Sequence, residues 1–268
     1  MNKNIRGAQT WLLAACLACS LGAQAAVKGE EVSYAAGGVT MKGWLASDDA
    51  LKGKRPAVLV IHEWWGHNEH ARSSARKLAE AGYVALAVDM YGDGKTASHP
   101  DDAGKFAGEV RKNMTTATER YRAARALLEK HPSVQAGQVA AIGYCFGGGM
   151  VLSFARQGED LKGVASFHGS LGGDAPAQSG KVKAQVLVLT GADDPMAPAT
   201  DVEAFKKEMQ AAGVKHEVVS YPGVKHSFTN PQADENAKKF GLPLAYDAKA
   251  DADSWSRMLA FLKAVFAQ

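Results

Sequence analysis

The fold is decided at Val139-Ala140-Ala141-Ile142-Gly143-Tyr144-Cys145-Phe146-Gly147-Gly148-Gly149-Met150. A short apolar run ends abruptly there in Gly-x-Cys-x-Gly, and small residues suited to the start of a helix follow. This is the form of a nucleophile elbow, a sharp strand-to-helix turn that holds a reactive side chain in strained backbone geometry. The flanking glycines avoid clashes where the turn brings backbone segments close together. A strand, a glycine-rich turn and a buried, unreactive cysteine are the alternative interpretation.

The first 26 residues have the features of an export signal. Lys3 and Arg6 form a basic start, residues 11–21 form an apolar core, and Ala23-Gln24-Ala25 is a small-x-small cleavage site. The apolar core is shorter than the roughly 20 residues that a membrane-spanning helix needs. We therefore predict cleavage near Ala25/Ala26, a single mature domain over residues 27–268, and a periplasmic or secreted location.

A lipoprotein signal is the alternative, because Leu13-Ala14-Ala15-Cys16 resembles the lipobox that leaves a lipid on Cys16. Apolar residues continue past Cys16 to the later cleavage site, which favours simple export. Cleavage there removes Cys16 and Cys19 and leaves Cys145 as the one cysteine of the mature sequence. An exported chain with a single cysteine has no internal disulfide, so its thiol is a candidate for reactivity.

Length and charge restrict the class of partner. The chain has 268 residues, a length within the usual range for one α/β domain after the signal is removed. The formal net charge of +3 includes Lys3 and Arg6, so the mature chain carries +1. That balance argues against nucleic acid or an anionic membrane as a partner. We expect a monomer that acts on a small molecule without a cofactor, since the sequence has no phosphate-binding glycine loop.

Apolar runs alternate with amphipathic segments along the chain, and this alternation predicts the fold class. A β-hairpin over 31–45 comes first, and strands are predicted at 57–61, 83–88, 139–144, 164–167, 186–189 and 217–221. Helices are predicted at 68–81, at 101–130 as one or two helices, at 202–212 and at 254–266. Strands separated by helices indicate a mostly parallel sheet covered on both faces. Ligands of such sheets bind beyond the carboxyl ends of the strands.

Chemically active side chains follow three of these strands. Cys145 comes after the strand at 139–144, Asp193 and Asp194 after the one at 186–189, and His226 after the one at 217–221. The order nucleophile, acid, histidine is that of α/β-hydrolases. A histidine can hold a cysteine as its thiolate, and a carboxylate fixes the tautomer of that histidine. Taken singly, either aspartate could cap the next helix and the histidine could simply be solvated.

A further polar group, His62-Glu63-Trp64-Trp65-Gly66-His67-Asn68, follows the strand at 57–61. Its two histidines lie one residue too far apart for the zinc motif H-E-x-x-H, so we predict no metal site. A charged Glu63 between an apolar strand and two tryptophans is costly if it is buried without a partner. A position near Cys145 would give it one.

Taken together, these motifs resemble those of the dienelactone hydrolase family, a branch of the α/β-hydrolases with a Cys-Asp-His triad. The resemblance runs from about residue 31 to the C-terminus. It rests on the elbow at 143–148, E-x-x-G-x-N at 63–68, D-x-Y at 89–91, G-x-x-D-x-x-x-P at 191–198 and the histidine segment at 223–228. Counting four residues back from Pro198 selects Asp194 over Asp193 as the acid of the triad.

The resemblance implies an α/β-hydrolase fold and the cleavage of a carboxylic ester or lactone through a thioester on Cys145. His226, oriented by Asp194, would activate Cys145 and later the hydrolytic water. Glu63 corresponds to an extra carboxylate that contacts the resting thiol and takes part in its activation when the substrate arrives. An oxyanion hole would be formed by two backbone N–H groups, those of Trp64 and Phe146.

Two positions depart from the family's pattern. Members that cleave dienelactone hold the substrate carboxylate with two arginines, where this chain has Asp93 and Asn230. A carboxylate repels a substrate carboxylate and an asparagine offers only a neutral hydrogen bond, so dienelactone itself is not the expected substrate. The long polar loop over 229–249 would form a different rim. The residues expected around the substrate are Trp65, Tyr91, Asp93, His168, Phe228 and Asn230.

Other functions are compatible with the same sequence. A thioesterase, or another acyl-transfer enzyme, could use the same triad. A protein of a different class, a non-catalytic binding protein on a hydrolase scaffold, would keep the fold without the chemistry. A thiol redox role is disfavoured, because no second cysteine remains in the mature chain to resolve a disulfide.

Overall fold

The computed structural model describes residues 27–173 and 175–268. The export signal, its cleavage site and Cys16 lie outside the described residues, so the predictions about them stay predictions. No helix within the described ranges is both long enough and apolar enough to cross a membrane.

The strands of the described chain form one sheet with helices on both of its faces. The strands are β1 Val27–Ala36, β2 Val39–Asp48, β3 Arg55–Ile61, β4 Val84–Val88, β5 Val134–Tyr144, β6 Gly163–Phe167, β7 Gln185–Gly191 and β8 His216–Tyr221. The helices are α1 Glu69–Glu80, α2 Pro100–Lys112, α3 Met114–Glu129, α4 Phe146–Gln157, α5 Ala199–Ala211, α6 Ala233–Phe240 and α7 Ala248–Phe266.

The strand order across the sheet is β1-β2-β4-β3-β5-β6-β7-β8. Every neighbouring pair from β4 to β8 is parallel, and β2 runs antiparallel to both of its neighbours. The predicted α/β-hydrolase fold with a mostly parallel sheet is therefore confirmed.

The central strands are apolar throughout because both of their faces are covered. Every residue of β4 is buried, as is the apolar run 57–61 of β3. Such continuous runs are typical of strands covered on both sides. One hydrophobic core contains residues of α1 and α7, and the other contains residues of α2, α3, α4 and α5. The two cores hold the sheet rigid beneath its carboxyl edge.

The connections that leave β3 and β5 run in opposite directions across the sheet, because β3 leads to β4 on one side of this central pair and β5 leads to β6 on the other. A reversal of strand order of this kind creates a crevice at the carboxyl ends of the two strands, which is where ligands of open α/β sheets bind. Glu63 and Cys145 follow these two strands, so both lie at the crevice.

The segment 101–130, predicted as one or two helices, forms two, and the Asn113 side chain accepts a hydrogen bond from the Thr116 N–H at the start of α3. One detail differs from the prediction made from the sequence. The segment 229–249 is not a loop throughout, because it contains α6 and the first residues of α7. Gly241 ends α6 with a φ of 67°, which a residue with a side chain adopts only at a cost.

Candidate active site

Cys145 stands at the turn between β5 and α4 with strained backbone angles, φ 51° and ψ −112°. The turn is possible because glycines flank it. A Cβ atom on Gly143 would lie 2.1 Å from the carbonyl oxygen of Gly147, and a Cβ on Gly147 would lie 2.3 Å from that of Ile61. Backbone strain of this kind costs about 1–3 kcal/mol and is common at functional sites. The half-buried Cys145 is thus presented at the carboxyl edge of the sheet.

His226 and Asp194 form a buried pair from the loops after β8 and β7. The His226 Nδ1 atom lies 2.8 Å from an oxygen of the Asp194 carboxylate. Both residues are buried, whereas Asp193 is exposed, so the carboxylate that contacts the ring belongs to Asp194. Because an ionised carboxylate only accepts, Nδ1 carries a proton and Nε2 is directed to the other side of the ring. The rim segment also holds this loop, since the Ala245 N–H donates to the His226 carbonyl.

The protonation of His226 is governed by its two neighbours. Burial opposes the charged ring, but the negative charge of Cys145 and the hydrogen bond to Asp194 outweigh it and raise the pKa of His226 to about 10. Within the described chain, Nε2 makes no hydrogen bond of standard geometry. The sulfur of Cys145 therefore acts on the ring chiefly through its charge. A protonated His226 ring is the state that this arrangement favours.

Glu63 is almost completely buried, with 1% of its surface exposed. Its Oε1 accepts a hydrogen bond from the Ser227 hydroxyl at 3.0 Å, and its Oε2 accepts one from the Asn230 side-chain amide. The Nδ1 atom of His70 lies 3.9 Å from the same Oε2. Among the described residues, the Cys145 thiol makes no hydrogen bond to Glu63. The carboxylate is thus turned toward the loop that follows His226.

The two backbone N–H groups expected to form the oxyanion hole lie on segments fixed by other contacts. Phe146 is the first residue of α4, and N–H groups in a first helical turn have no acceptor within the helix. The loop that carries Trp64 is held by the Tyr91 hydroxyl, which donates to the Trp64 carbonyl at 2.9 Å. The Gly147 N–H also donates to the His62 carbonyl at 3.1 Å, so the two segments are tied to each other.

His62 has a structural role at this loop. Its Nε2 accepts from the Met90 N–H at 3.2 Å, so its Nδ1 carries the proton and donates to the Glu63 carbonyl at 2.6 Å. Burial lowers the pKa of His62 and keeps the ring neutral. The imidazole thereby connects the ends of β3 and β4. No group of three or more His, Cys, Asp or Glu side chains in the described ranges is arranged to hold a metal ion.

The residues expected around the substrate occupy three environments. Tyr91 and Asp93 line a cavity of about 340 Å³ beside α2 and α3. Asn230 lines another of about 260 Å³ beside α1 and α7. Trp65 is 6% exposed and packs near Phe240 of the rim helix.

His168 and Phe228 differ from this expectation because both are fully buried. Their rings contact each other with centroids 5.2 Å apart, and the His168 ring lies 5.1 Å from that of His226. Burial keeps the pKa of His168 well below its usual value, so a neutral ring packs against the catalytic candidate. Their place is behind His226, in the packing that supports it.

Sequence reasoning did not identify three residues of this site, namely His70, Ser227 and the structural His62. Ser227 adjoins His226, and its φ of 59° is uncommon for a residue with a side chain. His70 lies in the first turn of α1, just after the polar segment that contains Glu63. The contact of Ser227 with the Glu63 carboxylate joins positions 164 residues apart. The proximity of His70 depends on the conformation of the turn between β3 and α1, and no local pattern reveals either contact.

Comparison with known proteins gives one family. The family model described as "Dienelactone hydrolase family" matches residues 41–266. "Protein usf" of Aquifex pyrophilus is 28% identical over 239 residues, which cover 88% of this chain and 98% of that protein. "Putative carboxymethylenebutenolidase" of Synechocystis is 30% identical over 230 residues, covering 81% of this chain and 88% of that protein.

A solved structure has the same fold at greater identity. It is that of a dienelactone hydrolase-like promiscuous phosphotriesterase, P91, from metagenomic libraries. It superimposes with a TM-score of 0.84 at 34% identity, covering 90% of this chain and 99% of P91.

Proposed function

Because the chain belongs to the dienelactone hydrolase family, we propose that it is a carboxylic ester or lactone hydrolase whose nucleophile is Cys145. The observation that carries the proposal is the buried Asp194–His226 hydrogen bond of 2.8 Å beside a cysteine in a strained elbow. These are the three groups that nucleophilic acyl transfer needs: a nucleophile, a base and a carboxylate that orients the base.

In the first half of the reaction, the Cys145 thiolate attacks the carbonyl carbon of the ester. The electrons of the C=O bond move onto the oxygen, and the N–H groups of Trp64 and Phe146 stabilise that negative charge. The C–O bond to the alcohol then breaks as the carbonyl re-forms, and the His226 imidazolium gives its Nε2 proton to the departing alkoxide. The products are an alcohol, a thioester on Cys145 and a neutral His226.

In the second half, neutral His226 accepts a proton from water while the oxygen of that water attacks the thioester carbon. The same two N–H groups stabilise the second oxyanion. The C–S bond breaks, the carboxylic acid leaves, and Cys145 returns to a thiolate beside the His226 imidazolium. Asp194 remains ionised throughout and holds the ring in position.

Glu63 has a separate role in this proposal. Between turnovers Cys145 is a thiol that faces the Glu63 carboxylate; when the substrate enters, the carboxylate accepts the thiol proton, releases it to solvent and, ionised again, turns to Ser227 and Asn230. The thiolate left at the end of a turnover takes a proton back from solvent. The orientation with both oxygens bonded to these two residues corresponds to the second position. In that position the negative charge of Glu63 is directed away from the thiolate, which leaves His226 as the partner of the sulfur.

The test compares wild type with Cys145→Ala on short p-nitrophenyl esters and simple lactones. We expect kcat to fall by at least about 10³-fold, because loss of the nucleophile leaves only binding and oxyanion stabilisation. Mass spectrometry of acid-quenched wild type should show one acyl group on Cys145. Equal rates for the two proteins would contradict the proposal.

Iodoacetamide kinetics separate this enzyme from a binding protein on the same scaffold. A catalytic Cys145 held as thiolate should react much faster at pH 7 than a small free thiol, because the thiolate is the nucleophile. A binding protein would show ordinary thiol reactivity and no acyl-enzyme. A thioesterase would form the acyl-enzyme but prefer thioesters to the matched oxygen esters.

The substrate panel should vary charge as well as chain length. Asp93 carries a negative charge near Tyr91, and Asn230 is neutral, so we propose neutral esters or lactones rather than dienelactone as substrates. Matched pairs of esters with and without a carboxylate test this preference. A phosphotriester belongs in the panel because the similar protein P91 is a promiscuous phosphotriesterase.

We also propose that the enzyme is exported. The support is the sequence of residues 1–26, with its basic start, apolar core and small-x-small cleavage site. The mature protein should begin near Ala26 or Val27 when it is isolated from the periplasm or medium. A lipid-modified N-terminal Cys16 would instead support the lipoprotein alternative.

A further inference from the structure

The Glu63 carboxylate is a buried charge with neutral hydrogen-bond donors. Ser227 donates a hydroxyl to one oxygen and Asn230 donates an amide to the other. Neutral donors only partly replace the hydration that a carboxylate loses on burial, and an unpaired buried charge tends to take up a proton instead. No Lys or Arg nitrogen of the described residues lies within 4.0 Å of this carboxylate, and His70 is the basic residue that does.

The hydrogen bonds of His70 restrict its state of protonation. Its Nε2 lies 3.2 Å from the carbonyl oxygen of Thr229. A carbonyl oxygen only accepts, so Nε2 must carry a proton. A neutral ring would then have a bare lone pair on Nδ1, and this atom faces the Glu63 oxygen at 3.9 Å. Nδ1 has no other hydrogen-bond partner among the described residues, so a neutral ring would direct a lone pair at a carboxylate.

A proton on Nδ1, in addition to the one on Nε2, would remove the lone pair that faces Glu63 and would give the buried carboxylate a cationic neighbour. We propose that His70 is held as an imidazolium and is the cationic partner that keeps Glu63 ionised while Ser227 and Asn230 hold its two oxygens. His70 touches no reacting atom, so it is a positioning residue. This inference rests on the proposed function, because it concerns the carboxylate that accepts the thiol proton.

The other ionisable groups around His70 are consistent with a positive ring. Asp251 of α7 shares its cavity, and although burial raises the pKa of Asp251, the charges of Lys77 and His70 lower it in part. His168 is neutral because burial, together with the charges of His226 and His70, lowers its pKa. The Tyr144 ring lies edge-on to His70 with centroids 4.7 Å apart, and burial raises its pKa, so it stays uncharged.

The cavity beside His70 adjoins two residues that contact the Glu63 carboxylate, His70 and Asn230. It has a volume of about 260 Å³, and its lining includes His70, Ser74, Tyr144, Asn230 and Trp255. The His70 side chain lines this cavity, and its Nδ1 atom lies 3.9 Å from the Glu63 oxygen. Removing the imidazole would therefore extend the cavity to the carboxylate and leave room for a small ring from solution.

The consequence for catalysis is a dependence on pH. With His70 replaced by a neutral side chain, Glu63 would bind a proton more readily and would accept the thiol proton only at higher pH. A pair of unit charges at about 4 Å has an interaction large enough to move the acid limb of acylation upward by roughly one to two pH units. At alkaline pH the variant should approach the wild-type rate, because Glu63 is ionised there in both proteins.

The first experiment records the rate of acylation against pH for wild type, His70→Gln and His131→Gln. Gln at position 70 can still donate to the Thr229 carbonyl but carries no charge. His131 lies between α3 and β5, at the opposite edge of the sheet, and should leave the profile unchanged. We expect the acid limb of the His70→Gln profile to move upward by at least one pH unit. The inference would be overturned if His70→Gln changed only the maximum rate of acylation and left the acid limb at the wild-type pH.

Chemical rescue tests charge separately from shape. His70→Ala should be slow at pH 6, and added imidazole, mostly cationic at that pH, should restore acylation through the open cavity. Pyrazole has nearly the same size but remains uncharged, and it should restore little. Equal restoration by both rings would show that His70 only fills space. Restoration by neither ring would also overturn the inference, because the cavity gives both of them access.

The outcomes distinguish this inference from the proposed function. If Cys145→Ala were as active as wild type, the nucleophile assignment would be wrong whatever His70 does. If Cys145 forms an acyl-enzyme and His70→Gln keeps the wild-type acid limb, the proposed function stands and the role of His70 is wrong.

Discussion

The site contains two pairs of a carboxylate and a histidine, and they differ in how closely their members meet. In the first pair, His226 Nδ1 and the Asp194 carboxylate are 2.8 Å apart and share a hydrogen bond. In the second pair, His70 Nδ1 and the Glu63 carboxylate are 3.9 Å apart and share none. Each oxygen of Glu63 instead accepts a hydrogen bond from a neutral side chain, whereas the Asp194 carboxylate is hydrogen-bonded directly to the His226 ring.

The difference indicates two separate tasks. A direct hydrogen bond fixes the tautomer and direction of an imidazole, which a base that transfers protons requires. A positive charge about 4 Å away fixes neither the tautomer nor the direction of its partner. It does stabilise the ionised form of a carboxylate, and it leaves that carboxylate able to turn between partners. The short segment 226–230 serves both pairs, since it contains His226 and also the two neutral donors to Glu63. One loop therefore contacts both pairs.

The largest expected loss of activity comes from Asp194→Asn, which breaks the close pair of Asp194 and His226. An amide at this position can bond His226 in the wrong tautomer, as in other triads where this change lowers kcat by about 10⁴-fold. Asp193→Asn is the matched control, because Asp193 is the exposed neighbour that does not reach the ring. The measurement is the steady-state kcat on an active ester from the panel. Similar losses in both variants would contradict the assignment of Asp194.

The same variant tests the charge state of His226. Its pKa is raised to about 10, so the protonated ring that donates to the leaving group is present below that pH and is lost as the pH rises through it. In Asp194→Asn the charge and hydrogen bond of the carboxylate are gone, so the protonated form should be lost at a lower pH than in wild type. Nitrogen-15 NMR of labelled histidine, followed against pH, measures this directly. An unchanged midpoint would mean that Cys145 alone sets the charge of the ring.

The close pair could be anticipated from the sequence, whereas the loose pair, which is Glu63 and His70, could not. Asp194 and His226 each follow an apolar strand, and strands of a parallel sheet bring such residues to one edge. The contacts of Glu63 with Ser227 and Asn230 join positions 164 and 167 residues apart and depend on the conformation of one loop. His70 belongs to an ordinary helical pattern, in which its role leaves no trace.

The helix within the segment 229–249 could not be predicted from the sequence for a similar reason. The polar segment 229–249 lacks the long apolar pattern that identifies a helix, yet α6 forms within it. The helix places Phe240 beside Trp65, with ring centroids 6.1 Å apart. Contact with the rest of the molecule, rather than local sequence, thus decides the structure there, as is usual for short helices.

A smaller loss is expected when the loose pair is broken with Glu63→Gln. Gln cannot accept the thiol proton. Its amide nitrogen is a donor and would face either Ser227 or Asn230, which also donates, so one hydrogen bond to the charged carboxylate is lost. Loss of a hydrogen bond to a charged group corresponds to roughly a 10- to 100-fold reduction in the rate of acylation. Glu69→Gln, on the exposed surface of α1, is the control. A loss as large as that in Asp194→Asn would show that the two carboxylates are not divided into a fixed and a mobile one.

The smallest effect should follow from removing a single neutral donor with Ser227→Ala. The hydroxyl donates to Glu63 at 3.0 Å, and the net contribution of such a bond is about 1 kcal/mol, which corresponds to roughly a fivefold reduction in acylation. Backbone strain is not the cause, because Ala has the same Cβ at the same positive φ. In the double variant Glu63→Gln/Ser227→Ala the two losses should not add, since the hydroxyl no longer has a carboxylate to bond. Additive losses would mean that Ser227 acts on His226 instead, and the loop would then serve only the close pair.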